Sequence, residues 1–336
     1  MRAELIVAIA LALAYALTNG LHDASNAIAA LVATRTATPL RAVVLASVFN
    51  MLGPLAVGAA VASTIAGIVT VEPDQTAAVV GAGLVGAVAW NLVTWRRGLP
   101  SSSGHALVGG LVGAALVESG LDAVRWGGVD GWRPVGVFGV LIALAGTPLV
   151  AALVALAGIR FARRGLRQAT RAVERPIRAG AWATSAFLAF GQGSNNAPKA
   201  AGAIALVLFA DGRTDSLSAP FWATLASAAV LTVGTALGGW AIVHTIGRRI
   251  YELRPLDGLA SQASSSLVIL ASSIAGAPVS TTHVVASSVV GIGGGRRRWR
   301  RVDWSVVREM SVAWMTTIPA SAALAALVLP LWRWLA

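Results

Sequence analysis

A polar octet stands inside hydrocarbon. Gly20-Leu21-His22-Asp23-Ala24-Ser25-Asn26-Ala27 interrupts an apolar stretch that runs from Leu5 to Ala33. A charge left unpaired at that depth costs about 2.5–3.5 kcal/mol on insertion scales, so it is placed there for a partner, most often along an ion path. A near-copy follows about 173 residues later, Gly193-Ser194-Asn195-Asn196-Ala197-Pro198-Lys199-Ala200. One polar interruption in each half of a membrane chain points to the binding site of a transporter made of two repeats.

The rest of the chain agrees with an all-α polytopic membrane protein. Of its residues 56% are hydrophobic and 12% charged, where soluble domains carry roughly 25% charged. Apolar windows long enough to span recur at 42–62, 76–95, 135–158, 219–246, 259–277 and about 310–331. Counting the octet-bearing stretches and possible re-entrant hairpins, the expectation is about ten to twelve membrane segments, with interrupted helices at residues 18–27 and in the second copy. Residues 1–158 form a first repeat, 159–180 a basic linker and 181–336 a second repeat. An odd number of crossings per repeat inverts the second relative to the first.

The linker holds Arg160, Arg163, Arg164, Arg167, Arg171, Arg175 and Arg178. Basic loops stay cytoplasmic, which predicts a multi-pass protein of the cell inner (plasma) membrane with both termini outside; Arg2 argues weakly the other way. The formal net charge of +12 lies in such short loops, which meet anionic lipid, so no nucleic-acid partner is expected. The absence of cysteine excludes disulfides and thiolate metal sites. The first helix reads as a retained span and not as a cleaved signal peptide. Asn50 reads as a bond between helices and His244 as an interface residue at a span end.

A second motif also occurs twice. Pro100-Ser101-Ser102-Ser103-Gly104-His105 is answered about 178 residues later by Pro278-Val279-Ser280-Thr281-Thr282-His283. A Pro-Ser tract leading into an apolar run marks a helix N-terminus, whose unpartnered N–H groups and dipole suit an oxyanion. Ser101, Ser102, Ser103, Ser280, Thr281 and Thr282 add hydroxyls, Asn26 and Asn195 add amides, and Lys199 adds the positive charge. Together they suit a small tetrahedral anion. Asp23 is the coupling carboxylate for a proton or Na⁺; His22 shares the proton, with His105 as a further candidate, and Asn196 offers a carbonyl oxygen to a cation. The histidines and acids show no metal-ligand spacing.

These four motifs, in this order, resemble the inorganic phosphate transporter (Pit) family over nearly the whole chain. Pro278 to His283 matches the family pattern literally. His22 stands where the pattern has Asn; with Val48-Phe49-Asn50 and the Pro100–His105 variant this looks like the bacterial low-affinity branch. The second copy departs from the pattern: Asn196 replaces an Asp, and Phe190-Gly191-Gln192 lacks the family's His. The resemblance implies a secondary active transporter, not an enzyme, that imports inorganic phosphate by alternating access. It implies inverted repeats with helical hairpins, a homodimer, no bound cofactor, and cargo that can travel as a Mg²⁺–phosphate complex. One motif carboxylate instead of two favours H⁺ over Na⁺ as the co-transported cation. The alternatives are a sulfate or other oxyanion permease, and more distantly an intramembrane serine hydrolase using a serine with His105 or His283.

Overall fold

The computed structural model describes residues 3–57, 60–131 and 133–335. Arg2 and residues 58 and 59 of the expected second span lie outside them. The first repeat contains α1 (Ala3–Ala33), α2 (Pro39–Val57), α3 (Ala60–Ala66), α4 (Pro73–Arg96), α5 (Ser103–Ser119) and α6 (Gly136–Gly165). The second contains α7 (Glu174–Ala210), α8 (Phe221–Leu237), α9 (Trp240–His244), α10 (Pro255–Ile274), α11 (Thr281–Gly295) and α12 (Trp304–Leu335). Among the described residues the only paired strands are the two-residue Val129–Asp130 and Arg133–Pro134.

One correction concerns the octets. They interrupt hydropathy but not the backbone: α1 runs through Gly20–Ala27 and α7 through Gly193–Ala200 without a break. The polar side chains stay helical because they bond locally. Ser25 Oγ donates to the His22 carbonyl at 2.8 Å and Asn26 to the Asp23 carboxylate at 2.7 Å, so neither pulls the backbone out of its ladder. The real break lies in the next span of the second repeat, where Gly238 and Gly239 turn α8 into α9 at 67°.

The count of membrane segments is not confirmed. Five helices are long and apolar enough to cross alone, α1, α2, α4, α6 and α12, and six spans result if the bent α8–α9 pair is one. The ten to twelve expected segments are not reached by this measure. Two shortfalls are α5 and α11, with 17 and 15 residues. At 1.5 Å per residue they reach about 25 Å or less, short of a hydrocarbon core of about 30 Å. Each begins inside the protein: Ser101, Ser102, Ser280 and Thr281 are buried. The chain passes along α4, turns at Arg97–Ser102, and re-enters as α5; α10 and α11 repeat this. Each re-entrant helix is capped by its own tract, Ser102 Oγ accepting from the His105 N–H at 3.1 Å and Ser280 Oγ from the His283 N–H at 3.3 Å.

Two apolar cores sandwich a polar layer. One gathers Leu5–Ala16 of α1 with α4, α5 and Ala200–Leu208 of α7; the other gathers Ala27–Leu31 of α1 with α10, α11 and Ala181–Ala189 of α7. Thus α1 and α7 traverse the same layers in opposite order, which is the inversion itself. The α4–α5 hairpin reaches the polar layer from one core and α10–α11 from the other. The repeats interlock: α1 lies along α8 and α7 along α2, while α6 packs on α11 and α12 on α5. Equivalent glycines permit the first two crossings. A β-carbon on Gly20 would strike the Leu231 carbonyl, and one on Gly193 the Asn50 carbonyl. Asn50 does join helices, donating to Thr235 Oγ1 at 3.0 Å, and His244 lies exposed.

Candidate functional site

The polar layer holds a closed network. Asp23 Oδ1 accepts from Asn26 Nδ2 at 2.7 Å and from Thr282 Oγ1 at 3.0 Å. Its Oδ2 accepts from Asn196 Nδ2 at 2.5 Å. Lys199 Nζ donates to Asn196 Oδ1 at 2.9 Å and to the Val279 carbonyl at 2.7 Å. The Asn196 amide therefore relays between an acid and an ammonium, and these two bonds fix which end is nitrogen. Spacing explains the grouping: Asp23 and Asn26, like Asn196 and Lys199, are three residues apart and share a helix face. In the repeat, Asp23 is equivalent to Asn196 and Asn26 to Lys199.

Both hairpin tips close on this network. Gly104, at the start of α5, lies beside Lys199, where a β-carbon would stand 3.5 Å from Nζ. Thr282 and Val279 bring in the second tip. The first two N–H groups of each short helix, on Ser103 and Gly104 and on Thr281 and Thr282, find no acceptor among the described residues. They are the orphan donors of a helix start. Lys199 is 1% exposed and the whole network is buried, so the structure is occluded.

The other expected residues have different duties. His22 and Asn195, equivalent positions, face their own hairpins. His22 Nε2 bonds the Asn91 carbonyl at 2.7 Å. Asn195 donates to Ser273 Oγ at 3.1 Å and the Ala277 carbonyl at 3.0 Å, and accepts from the Val279 N–H at 3.0 Å. Asn195 is a staple on the α10–α11 turn, with its amide nitrogen and oxygen spent, and His22 joins α1 to α4. Ser101 bonds Thr94 at 2.7 Å and Ser103 donates to Asn19 at 2.8 Å. Ser102 and Ser280 accept from backbone N–H groups and cap; that is not the geometry of a nucleophile held by a histidine base.

The sequence reading missed Tyr15, whose hydroxyl donates to the Ser103 carbonyl at 3.1 Å, and Trp314, which stacks on His283 and donates to the Pro100 carbonyl at 2.9 Å. Neither lies in a motif; a tyrosine in mid-span was the single signal available. Surface cavities flank the turn before each tip. One of about 370 Å³ is lined by Thr94, Arg97 and Leu99 with Arg308 to Thr316 of α12. Another of about 480 Å³ is lined by Ala275 to Pro278 with Gly136 to Ala143 of α6.

Sequence comparison finds the same family model twice in this chain, at residues 19–171 and 163–325, a model described as the phosphate transporter family. The chain belongs to that family. Each match contains one of the two octets. The chain is 38% identical over 325 residues to a probable low-affinity inorganic phosphate transporter of Rhizobium meliloti (strain 1021), covering 96% of this chain and 95% of that protein. It is 33% identical to a protein of the same description from Bacillus subtilis (strain 168), covering 96% and 95%. Among solved structures, one called the sodium-dependent phosphate transporter superposes with a TM-score of 0.87 over 100% of both chains, at 23% identity. The last shares the fold. A family member of this kind is a membrane transporter and not an enzyme, which sets the hydrolase reading aside.

Proposed function

We propose that the chain is a secondary active transporter that imports inorganic phosphate with protons. One observation carries this: two re-entrant helix starts, from inverted repeats, meet around a single buried ammonium. The orphan N–H groups of Ser103, Gly104, Thr281 and Thr282, with Lys199, supply donors and charge for a tetrahedral anion. Asn26, Thr282 and Asn196 hold Asp23 as the counter-charge that keeps Lys199 in place.

Phosphate is favoured over sulfate by a free acceptor. Asn26 Oδ1 is buried without a partner, and a protonated phosphate can donate to it where sulfate cannot. Protons are favoured over Na⁺ because Lys199 already brings a positive charge to the place where a second cation would sit, and Asn196 brings no compensating charge. The two cavities, one beside each tip, support alternating access: opening α4–α5 away from α12 and opening α10–α11 away from α6 are the two exits from one occluded state.

Radiolabelled phosphate uptake into proteoliposomes tests this. The expected result is concentrative uptake driven by an imposed pH gradient, undiminished without Na⁺ and resistant to excess sulfate but not arsenate. Uptake that follows Na⁺ alone, or is abolished by sulfate, refutes it. The same assay with and without Mg²⁺ decides whether metal travels with phosphate. Cross-linking in the membrane reads the homodimer that the resemblance implies.

A further inference from the structure

Where the hairpin tips meet, two imidazoles face each other. The His105 ring of α5 and the His283 ring of α11 have centroids 4.8 Å apart, and His283 stacks on Trp314 of α12 at 3.8 Å. Both rings are buried. Yet His105 Nδ1 and His283 Nε2 have no hydrogen-bond partner. The capping role of these residues is carried by their backbone N–H groups, so the rings serve no cap. A buried polar atom without a partner is costly enough to need a reason. Asp23, by contrast, already receives three donors.

We infer that His105 and His283 together take up the proton that accompanies the anion. This rests on the phosphate-symport reading and names its coupling group. A proton from one aqueous side adds to the lone pair of one imidazole nitrogen and leaves the other ring neutral. It departs to water on the opposite side, and no bond within phosphate changes.

The surroundings make proton and anion depend on each other. Lys199 of α7, beside Gly104, repels an imidazolium, and each ring repels a charge on the other. The Trp314 face attracts an imidazolium at this distance. An oxyanion lodged between Lys199 and the rings removes the repulsion, so anion and proton each raise the other's affinity, and by the same factor. The remaining charged groups on neighbouring helices are engaged or distant. Asp23 of α1 is held through Thr282, and His22 is bonded to Asn91 through Nε2, its Nδ1 being likewise buried without a partner but away from the meeting point of the tips. Asp257 of α10 pairs with Arg296 at the hairpin's far end. Those of α4 and α6 lie at the helix ends, and Arg308 and Glu309 of α12 are exposed.

The test uses the full chain in proteoliposomes. A gradient of one pH unit per coupled proton sets about a tenfold accumulation of phosphate. The double variant His105→Gln/His283→Gln is expected to lose that factor; accumulation equal to the unaltered protein overturns the inference. Trp314→Phe keeps an aromatic face with weaker attraction for a cation, and is expected to move the pH midpoint of uptake downward. An unchanged midpoint overturns the inference independently of the double variant. If the unaltered protein takes up no phosphate, the underlying reading fails, a result distinct from uptake whose proton coupling survives both changes.

Discussion

The Asn196 amide is gripped from both sides, its oxygen by Lys199 and its nitrogen by Asp23. Asn196→Asp sets a second carboxylate against the first and removes a donor. Losing a donor to a buried carboxylate oxygen costs about 1–3 kcal/mol, so the variant is expected to melt below the unaltered protein in detergent; an unchanged melting temperature contradicts the relay. Asn195, one residue earlier, predicts differently. Asn195→Ala frees the α10–α11 turn by removing three bonds, with a loss of about 1–3 kcal/mol. Its melting temperature should fall, and phosphate should bind more weakly because the tip moves, not because a ligand contact is gone. Arsenate should then lose affinity by the same factor as phosphate. The sequence showed the chemistry of both residues but not their directions. Once the octet is taken as an unbroken helix, a spacing of three puts Asp23 with Asn26 and Asn196 with Lys199, and leaves His22 and Asn195 on another face. The expectation of a broken helix hid that distinction.

At the scale of elements, the crossings depend on backbone approaching backbone. Gly20→Ala and Gly193→Ala occupy equivalent positions and collide with equivalent partners. Overpacking of this kind costs about 1–3 kcal/mol, so both variants should destabilise the protein to a similar degree; tolerance of one alone contradicts the two-fold relation of α1–α8 to α7–α2. The hairpin starts were legible, because a Pro-Ser tract before an apolar run has a local physical meaning. Their depth was not. A hydropathy window averages over about 19 residues, and cannot separate a 17-residue re-entrant helix from a crossing one. The two hairpins also differ in a way no motif announces. The α10–α11 seam carries Ser265 bonded to Ser288 at 2.8 Å, while the α4–α5 seam brings Gly83 against Gly110.

For the whole molecule, the charge pattern predicts an orientation. With no native cysteine, single cysteines can be placed freely. Arg167→Cys, in the basic linker, should react with an impermeant maleimide only after the cells are opened, and Asp215→Cys, beyond α7, in intact cells. The reverse pattern would contradict the cytoplasmic placement of the linker. The alternation of loops carries this expectation, but the interlocking of the repeats was not legible: α6 on α11 and α12 on α5 are contacts between distant stretches, which local pattern does not encode. The centre of that interlocked body has an evolutionary corollary. Asp23 and Asn196 sit as counterparts and touch. Two identical subunits meeting there would have to contribute matching groups, either a pair of acids or none. Only after duplication and joining into one polypeptide can the counterparts drift apart and leave an odd charge at the heart of the molecule.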